Sequence, residues 1–579
     1  MRTQLAGEQR AATPGLLTSL VMAAVLASSV RADMYHADPS PGGIDPRPLI
    51  TGLTSTSSNA TLSWYGPTGP YQVQLTPTLN PVVWSSVANF TASTYGNQLT
   101  LGNLPGDQAY FRLNAPPNGY VGTGGCAGCH GDKYMEWYCS AHASAYDSIA
   151  NVSPTDRQSC LPCHTVGNGQ TGGFVDPATT PHLADVGCES CHGPGGAHKY
   201  GDHYTVHPIV TVAGEVCGGC HTGPQSPTYE EWKESGHGNN EVLAEISGAL
   251  AEESTRMRCG PCHSGAVRSA MLANYEAAAA GRPEPLTLPG LADATNFGPT
   301  CVTCHDPHLN ERPRQLRLPL FSTNFFTFYT GAPTTNIYRT NWAGMITTNT
   351  YWANSIFASQ YQTNMQLCAQ CHNDRGANWQ SSSRPPHRSP QYNLMIGAVQ
   401  TNYLNGTNIT MIRSHGRNSN GCVQCHMNLV TVADPSPANP NNTGHRFEIG
   451  YEGCANTGCH SSPTQAEIAI IGTQFDATNR IRTVVGLLNQ WAVNNSPPIL
   501  RTNHGALAWE YTSPGALSNP GTNSGPSSAR QAFVPDTIKQ ARFNLYLVFQ
   551  DASLGVHNGD YSRLLLDLAK SNVNYAITH

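Results

Sequence analysis

Charge is scarce in this chain of 579 residues: Asp, Glu, Lys and Arg together make up 12% of it, and the formal net charge is −6. Without a basic stripe nothing can neutralise a run of phosphates, so a nucleic-acid partner is excluded. Apolar residues are modest at 39%, while Gly (56) and Pro (42) are plentiful. That composition suits loop-rich architecture better than a large core packed from its own side chains. Something else must fill the interior. Long apolar runs are also missing. The stretch Leu16 to Ala27 is well short of the roughly 20 residues that span a bilayer. Arg2 and Arg10 lie before or at its start, and Val30-Arg31-Ala32 follows with small residues placed for cleavage before Asp33. Residues 1–32 therefore read as a secretory signal peptide. The mature protein is expected in the periplasm or outside the cell, with no integral membrane segment. No cysteine precedes Cys126, so no lipid-bearing cysteine follows the cleavage site.

Cysteine is what the chain has in abundance. Eighteen of its nineteen cysteines fall into pairs, and eight pairs are Cys-x-x-Cys followed at once by His. They are Cys126/Cys129/His130, Cys160/Cys163/His164, Cys188/Cys191/His192, Cys217/Cys220/His221, Cys259/Cys262/His263, Cys301/Cys304/His305, Cys368/Cys371/His372 and Cys422/Cys425/His426. Two thiols at this spacing add to the two vinyl groups on one haem edge, and the next residue brings its imidazole beneath the iron. Disulfides, zinc ribbons and redox Cys-x-x-Cys sites do not require a His directly after the second Cys. Covalent haem c is the cofactor that does. A last pair departs from the pattern: Cys454 and Cys459 are separated by four residues and followed by His460. A backbone bulge eased by Gly458 still lets both thiols reach a haem, so nine haems are expected. A disulfide or a lost haem is the alternative. Cys139 is left over, and a small buried side chain is its expected role.

The chain reads as mainly α with much irregular structure, organised around stacked c-type haems, behind a small N-terminal β-sandwich. Residues 45–115 hold no Cys and alternate apolar residues: Ala60-Leu62-Trp64, Tyr71-Val73-Leu75, Leu99-Leu101 and Phe111-Leu113. Turn-rich pieces such as Gly66-Pro67-Thr68-Gly69-Pro70 separate them. The segment resembles a fibronectin type III module. Adhesion, docking or spacing, and plain capping of the haem domain, are the roles open to it. Residues 121–461 are the multihaem domain, in which Trp137-x-x-Ser140-x-His142 recurs as Trp232-x-x-Ser235-x-His237. Leu309 to Gln366 reads as an excursion without a haem motif. Residues 462–579 are a helical segment packing on the haem domain. Ser462-Pro463-Thr464-Gln465 has the form of a capping box with Pro at the first helical position. Ile468, Ile471, Phe475, Val484 and Leu488 follow at helical spacing, and Pro497-Pro498 ends the segment. Ile538, Ala541, Leu545 and Val548 mark a later helix, and Leu564, Leu565 and Leu568 another. Gly555-Val556-His557-Asn558-Gly559 turns between them.

Cys126-x-x-Cys129-His130 with Tyr134-x-x-Trp137-x-x-Ser140-x-His142-Ala143 resembles the tetrahaem cytochrome of nitrifying bacteria. The runs Cys188 to His198 and Cys301-Val-Thr-Cys304-His305-Asp-Pro-His308 are similar to motifs of the same superfamily. It also contains hydroxylamine oxidoreductase, cytochrome c nitrite reductase and octahaem tetrathionate reductase. Gly555-Val-His557-Asn resembles other multihaem proteins with doubled motifs. The likeness covers residues 121–310 well and 365–579 more loosely, and implies a mainly helical fold built round closely packed haem pairs. Nitrite reductases usually carry Lys in place of the motif His at their catalytic haem, whereas every motif here ends in His.

Of twenty-three histidines, nine close motifs. Distal-ligand candidates among the rest are His142, His198, His237, His308, His387, His415, His445 and His557. His182, His203, His207 and His504 compete for a ninth place, and His36 and His579 read as tail residues. A haem with two His ligands shuttles electrons, and one with an open sixth site transforms small molecules. Electron transfer to a redox partner protein or an external acceptor is the leading expectation. A multihaem oxidoreductase acting on nitrite, hydroxylamine or a sulfur oxyanion is the first alternative. An extracellular conduit or filament subunit is the second. The oligomeric state is open.

Overall fold

The computed structural model describes residues 49–55, 59–65, 69–78, 83–92, 96–102, 109–114, 120–170, 172–200, 207–279, 287–309, 313–317, 334–340, 346–352, 367–374, 377–397, 403–404, 407–408, 411, 413–418, 420–456 and 458–579. Residues 1–32, expected as a signal peptide, His36, His203 and most of the excursion after Leu309 lie outside them. Contacts divide the chain into two units, Met1–Thr211 and Val212–His579.

In the first unit the alternating segments form strands: β1 (Leu49–Ser55), β2 (Asn59–Tyr65), β3 (Gly69–Thr76), β4 (Ser85–Ala92), β5 (Gly96–Gly102) and β6 (Tyr110–Asn114). They make two antiparallel three-stranded sheets, ordered β1-β2-β5 and β4-β3-β6. The register sets Ala60 opposite Leu101 and Leu62 opposite Leu99, with Val73 opposite Leu113 and Leu75 opposite Phe111 in the other sheet. A period of two sends these side chains to one face of each sheet. There Ala60, Leu62, Trp64, Tyr71, Val73, Leu75, Leu101 and Phe111 share one core. Trp64 centres it, edge-on to Tyr71 at 5.7 Å and to Phe90 at 5.1 Å. Each large apolar side chain so buried contributes about 1.5–3 kcal/mol.

The rest of the first unit is irregular chain and short helices, among them Thr123–Cys126 and α1 (Gly131–Tyr138). Ile149, Leu161, Val166, Phe174 and Leu183 form a small core there. Cys139 directly follows α1 and is exposed, against the expected buried role. It caps a helix none of whose residues is buried.

The second unit holds α2 (Thr228–Glu234), α3 (Glu253–His263) and α4 (Gly265–Ala279). An antiparallel pair, β7 (Thr334–Thr340) with β8 (Ile346–Trp352), lies in the excursion. The C-terminal segment is α5 (Pro463–Asn494), α6 (Pro498–His504), α7 (Asp536–Gln550) and α8 (Gly559–Thr578). Ser462 caps α5, its Oγ accepting the Gln465 N–H at 3.1 Å. The Gln465 side chain accepts instead from the Ser461 N–H at 2.9 Å, so the reciprocal half of the box falls one residue early. Pro497 and Pro498 separate two helices, with Pro498 opening α6.

Ile481, Val484, Leu488 and Trp491 of α5 pack with Ile538, Ala541, Leu545 and Val548 of α7 and with Leu565, Ala569 and Val573 of α8. The earlier part of the α5 stripe is not buried: Ile468, Ile471 and Phe475 are 65%, 58% and 69% exposed. On α8 the buried stripe is Leu565, Leu566, Ala569 and Val573, with Leu564 and Leu568 at its flank. The core of this bundle also encloses polar groups. Glu510, fully buried, accepts from Tyr546 Oη and Ser518 Oγ at 2.8 Å each and from the Gly515 N–H at 2.7 Å.

Candidate functional site

Most regular motifs sit on one turn of helix. In five of them the His N–H donates to the carbonyl of the first Cys: His130 at 3.0 Å, His164 at 3.1 Å, His221 at 2.8 Å, His305 at 2.9 Å and His372 at 2.8 Å. The second Cys is drawn into the same turn. The N–H of Cys129 donates to Cys126 at 3.2 Å, and those of Cys163, Cys220 and Cys371 donate to Cys160, Cys217 and Cys368 at 3.1 Å each. Cys188 and Cys191 share the helix Cys188–His192, and Cys259 and Cys262 lie on α3. Cysteines three apart in such a turn share a face, and the imidazole leaves from the end of the same turn. At Cys301–Cys304 the turn is fixed by a reciprocal cap between Thr300 and Thr303.

In three of the regular motifs the two thiols are not equally covered. Cys129, Cys191 and Cys220 are exposed, whereas their partners Cys126, Cys188 and Cys217 are half-buried. Cys160 and Cys163 are both half-buried. The imbalance has a local cause, since the covered cysteine of each uneven pair is the one that meets a neighbouring motif, as described below. The four-residue spacer behaves differently. Cys454 lies on the helix Tyr451–Asn456, and Gly458 turns the chain with φ +71° before the exposed Cys459. A side chain at that φ would be strained, so the bulge depends on glycine.

Most motif imidazoles are oriented through Nδ1. His164 donates to the Ala145 carbonyl at 2.7 Å, His192 to Ile209 at 2.5 Å, His305 to Arg314 at 2.7 Å and His426 to Phe447 at 3.0 Å. His372 Nδ1 lies 3.4 Å from the Gln391 amide oxygen. An Nδ1 so engaged leaves Nε2 with its lone pair, the form that ligates a metal. Burial lowers the pKa of the motif imidazoles His221, His305, His372 and His426, which disfavours their charged form. His237 falls furthest, to about 4, through burial first and then the neighbouring His372.

Five distal candidates stand opposite motif imidazoles, with ring planes inclined by 27° to 78°. Ring centroids are 6.2 Å apart for His130 and His198, 6.2 Å for His372 and His237, and 6.0 Å for His263 and His387. They are 6.2 Å apart for His305 and His445 and for His426 and His557. Two imidazoles bound to opposite sides of one metal atom through bonds of about 2.0–2.1 Å have centroids roughly 6.3 Å apart. The donor set therefore fits a porphyrin iron, with two thiols one turn apart for the vinyl groups and two imidazoles across the gap.

The remaining candidates have other surroundings. His142 lies in the short helix Ala141–Ser144, its carbonyl accepting the Val186 N–H at 3.1 Å. His308 Nδ1 is 3.6 Å from Asp306, and His415 Nδ1 donates to the Val556 carbonyl at 2.7 Å. Of the competitors, His207 lies 6.0 Å from His198. His504 is spoken for at both nitrogens, by the Ser524 carbonyl at 2.7 Å and Arg530 at 3.3 Å.

Cysteines of different motifs also touch. Thiols of different motifs lie beside one another: Cys126 by Cys188, Cys217 by Cys301, Cys368 by Cys422, Cys262 by Cys371 and Cys425 by Cys454. Burial pushes the thiols of Cys304 and Cys425 up to about 11 and about 12, so they enter the interior uncharged.

Three buried carboxylates, which the sequence does not mark as functional, hold the loops that carry these histidines. Glu189 accepts from the Gly122 N–H at 2.8 Å and the Gly195 N–H at 2.6 Å, three residues before His198. Glu231 accepts from the His445 N–H at 2.8 Å and the Thr443 N–H at 2.9 Å. Asp551 Oδ1 accepts from His557 Nδ1 at 2.7 Å. Burial alone would lower the His557 pKa, and the Asp551 charge overrides it and raises it. The loop between them is strained: Ala552 and Leu554 have φ of 62° and 52° and Gly555 of 91°. Each non-glycine residue in that region costs about 1–3 kcal/mol.

The pattern of thiol pairs and facing imidazoles is that of a multihaem c-type cytochrome, and the chain is similar to known members of that superfamily. Residues 125–193 and 367–461, which hold the first three and last three motifs, match the family described as cytochrome c554 and c-prime. Cytochrome c-554 of Nitrosomonas europaea is 36% identical over 99 residues, 14% of this chain and 42% of that protein. The multihaem cytochrome MtrA of Shewanella baltica is 25% identical over 193 residues, 29% of this chain and 51% of that protein. The chain thus spans about half or less of the length of the curated relatives it matches. Among solved structures, the outer cell wall cytochrome OcwA is 16% identical, with a TM-score of 0.48 over 78% of this chain and 99% of that one.

Proposed function

We propose that the protein is an exported electron carrier in which nine covalently bound haems pass electrons between a donor and a redox partner or external acceptor. The observation that carries this reading is the set of facing histidines at 6.0–6.2 Å. In it, His198, His237, His387, His445 and His557 are distal ligands to the irons held by His130, His372, His263, His305 and His426. His142, His308 and His415 are assigned to distal positions at other haems. An iron with two imidazoles has no vacancy for substrate, which favours conduction over chemistry. Thiol contacts between motifs bring neighbouring haem edges close, as conduction needs. The exposed Cys129, Cys191, Cys220 and Cys459 put the edges of the first, third, fourth and ninth haems nearest to solvent, where a partner can exchange electrons with them. The apolar haem faces supply interior that the composition lacks, so folding depends on haem. Export follows the leader-like residues 1–32, and the two-sheet sandwich is read as a fibronectin type III-like docking or spacing module.

The test is to reduce the matured protein fully and add nitrite, hydroxylamine and tetrathionate separately, following haem reoxidation, product and resting spin state. Slow reoxidation without product, from an all-low-spin protein, supports electron transfer. Rapid turnover together with a high-spin haem replaces it with an oxidoreductase.

A further inference from the structure

We propose that Asp551 is a positioning residue that makes the haem attached at Cys422 and Cys425 the most reducing of those around it. The proposal rests on reading His557 as that haem's distal ligand. Where the Nδ1 partners of the other facing imidazoles are described, they are neutral: the Arg314 carbonyl for His305, the Phe447 carbonyl for His426, Ser389 Oγ for His387, the Thr443 carbonyl for His445 and the Gln391 amide for His372. His557 instead meets a carboxylate at 2.7 Å whose side chain is 1% exposed.

A full negative charge draws the Nδ1 proton and leaves the ring a stronger donor at Nε2. Stronger donation favours ferric over ferrous iron, so the one-electron potential falls. A second carboxylate–histidine contact shows what dilutes the effect. Asp306 is 3.6 Å from His308 and also 3.1 Å from Arg317, whose charge opposes its own. For Asp551 the other described side-chain partner is the Ser553 hydroxyl.

The surrounding chain holds this contact in place. The His557 N–H donates to Ser553 Oγ at 3.2 Å, the Val556 carbonyl accepts from His415, and Asn558 Nδ2 donates to the Met411 carbonyl at 2.7 Å. Left-handed Ala552 and Leu554 bend the segment so that Asp551 faces the ring. Position matters as well. Cys422 touches Cys368 and Cys425 touches Cys454, so this haem lies between the seventh and ninth attachment pairs. An electron moving between those two meets an uphill step there.

The experiment is a spectroscopic redox titration of full-length, haem-loaded Asp551→Asn and Asp551→Glu. In Asp551→Asn one potential rises, by about tenfold in the reduction equilibrium or about 59 mV for one electron. The other potentials stay put, all haems stay low-spin, and Asp551→Glu returns the potential towards its original value. Unmoved potentials in Asp551→Asn overturn the proposal. Ser553→Ala gives a second reading should that variant fail to mature. It removes a donor from the carboxylate and an acceptor from the His557 N–H, so it moves the same potential and no other, and no shift there also counts against the idea. His557→Ala separates the two layers. If it leaves every haem low-spin, the ligand assignment fails. If it creates one high-spin haem while Asp551→Asn shifts nothing, the ligand stands and the tuning falls.

Discussion

The imidazole of His237 stands edge-on to that of His372, ring centroids 6.2 Å apart and planes inclined by 69°. The two rings come from distant parts of the chain, and Phe447 packs edge-on to His237 at 4.8 Å. His237→Ala is expected to turn one low-spin haem high-spin while haem content stays at wild-type level. Electron paramagnetic resonance of the oxidised protein, with pyridine haemochrome for content, checks this. His142→Ala should do the same at another haem. Two fully low-spin variants would make both residues structural histidines only.

The Gly458 bulge between Cys454 and Cys459 predicts a ninth thioether-bound haem. Intact mass of the matured protein should show nine, and the double variant Cys454→Ala, Cys459→Ala should lose one and keep eight. A mass with eight haems in the unaltered chain would falsify the assignment. Gly458→Ala should lower occupancy of this haem selectively, because the residue sits at φ +71°.

Glu231 is 4% exposed and satisfies the N–H groups of Thr443 and His445 as well as the Thr443 hydroxyl. Glu231→Ala strands three half-buried donors and should destabilise the fold by about 1–3 kcal/mol. It should also add a high-spin fraction at the haem of Cys301 and Cys304. Denaturant unfolding and the spin-state spectrum measure the two effects. Glu231→Gln, which keeps acceptors, should lose less on both counts.

Acid sensitivity of the helical bundle follows from Asp476, which bridges Arg480 on its own helix at 3.1 Å and Arg563 on α8 at 2.9 Å. Burial would raise its pKa, and the two guanidinium groups lower it below the usual carboxylate value. A folded pKa depressed in this way adds stability above the unfolded value of about 3.9, and loses it as pH falls through the folded one. The carboxylate is 39% exposed, so screening limits each pair to about 0.2–1 kcal/mol. Asp476→Asn should therefore cost about 1 kcal/mol or less at pH 7, and that cost should shrink as pH drops below the unfolded value of about 3.9 and through the lower folded one. Thermal unfolding at neutral and acid pH reads it, and a gap persisting in acid would speak against this ion pair as the cause.

Much of this molecule is legible in its sequence wherever the signal is local. The thiol pairs declare themselves by spacing, and Ala60-Leu62-Trp64 and Tyr71-Val73-Leu75 face one core as their alternation implies. The buried faces of α7 and late α5 follow from helical spacing for the same reason. Which imidazole faces which motif is not legible, because partners come together only in three dimensions. His198 follows the third motif closely yet faces His130, and His387 follows the seventh yet faces His263. Nor does spacing tell the covered Cys188 from the exposed Cys191, since the difference comes from the motif beside them. Asp551 and Glu231 carry no pattern at all, because a carboxylate acquires its role from the loop it binds. The stripe Ile468, Ile471 and Phe475 misleads: its spacing predicts burial, and all three are exposed.

The thiol contacts between motifs bear on how the protein must be made. Cys126 and Cys188, Cys217 and Cys301, Cys262 and Cys371, Cys368 and Cys422, and Cys425 and Cys454 are neighbours. In an oxidising compartment, neighbouring thiols in a polypeptide are candidates for cross-linking by disulfide oxidants. Each such bond would tie two attachment sites together and block both. For a chain exported as proposed, biogenesis is therefore a race between oxidant and haem ligation, and a host producing it must keep its cysteines reduced until every thioether has closed.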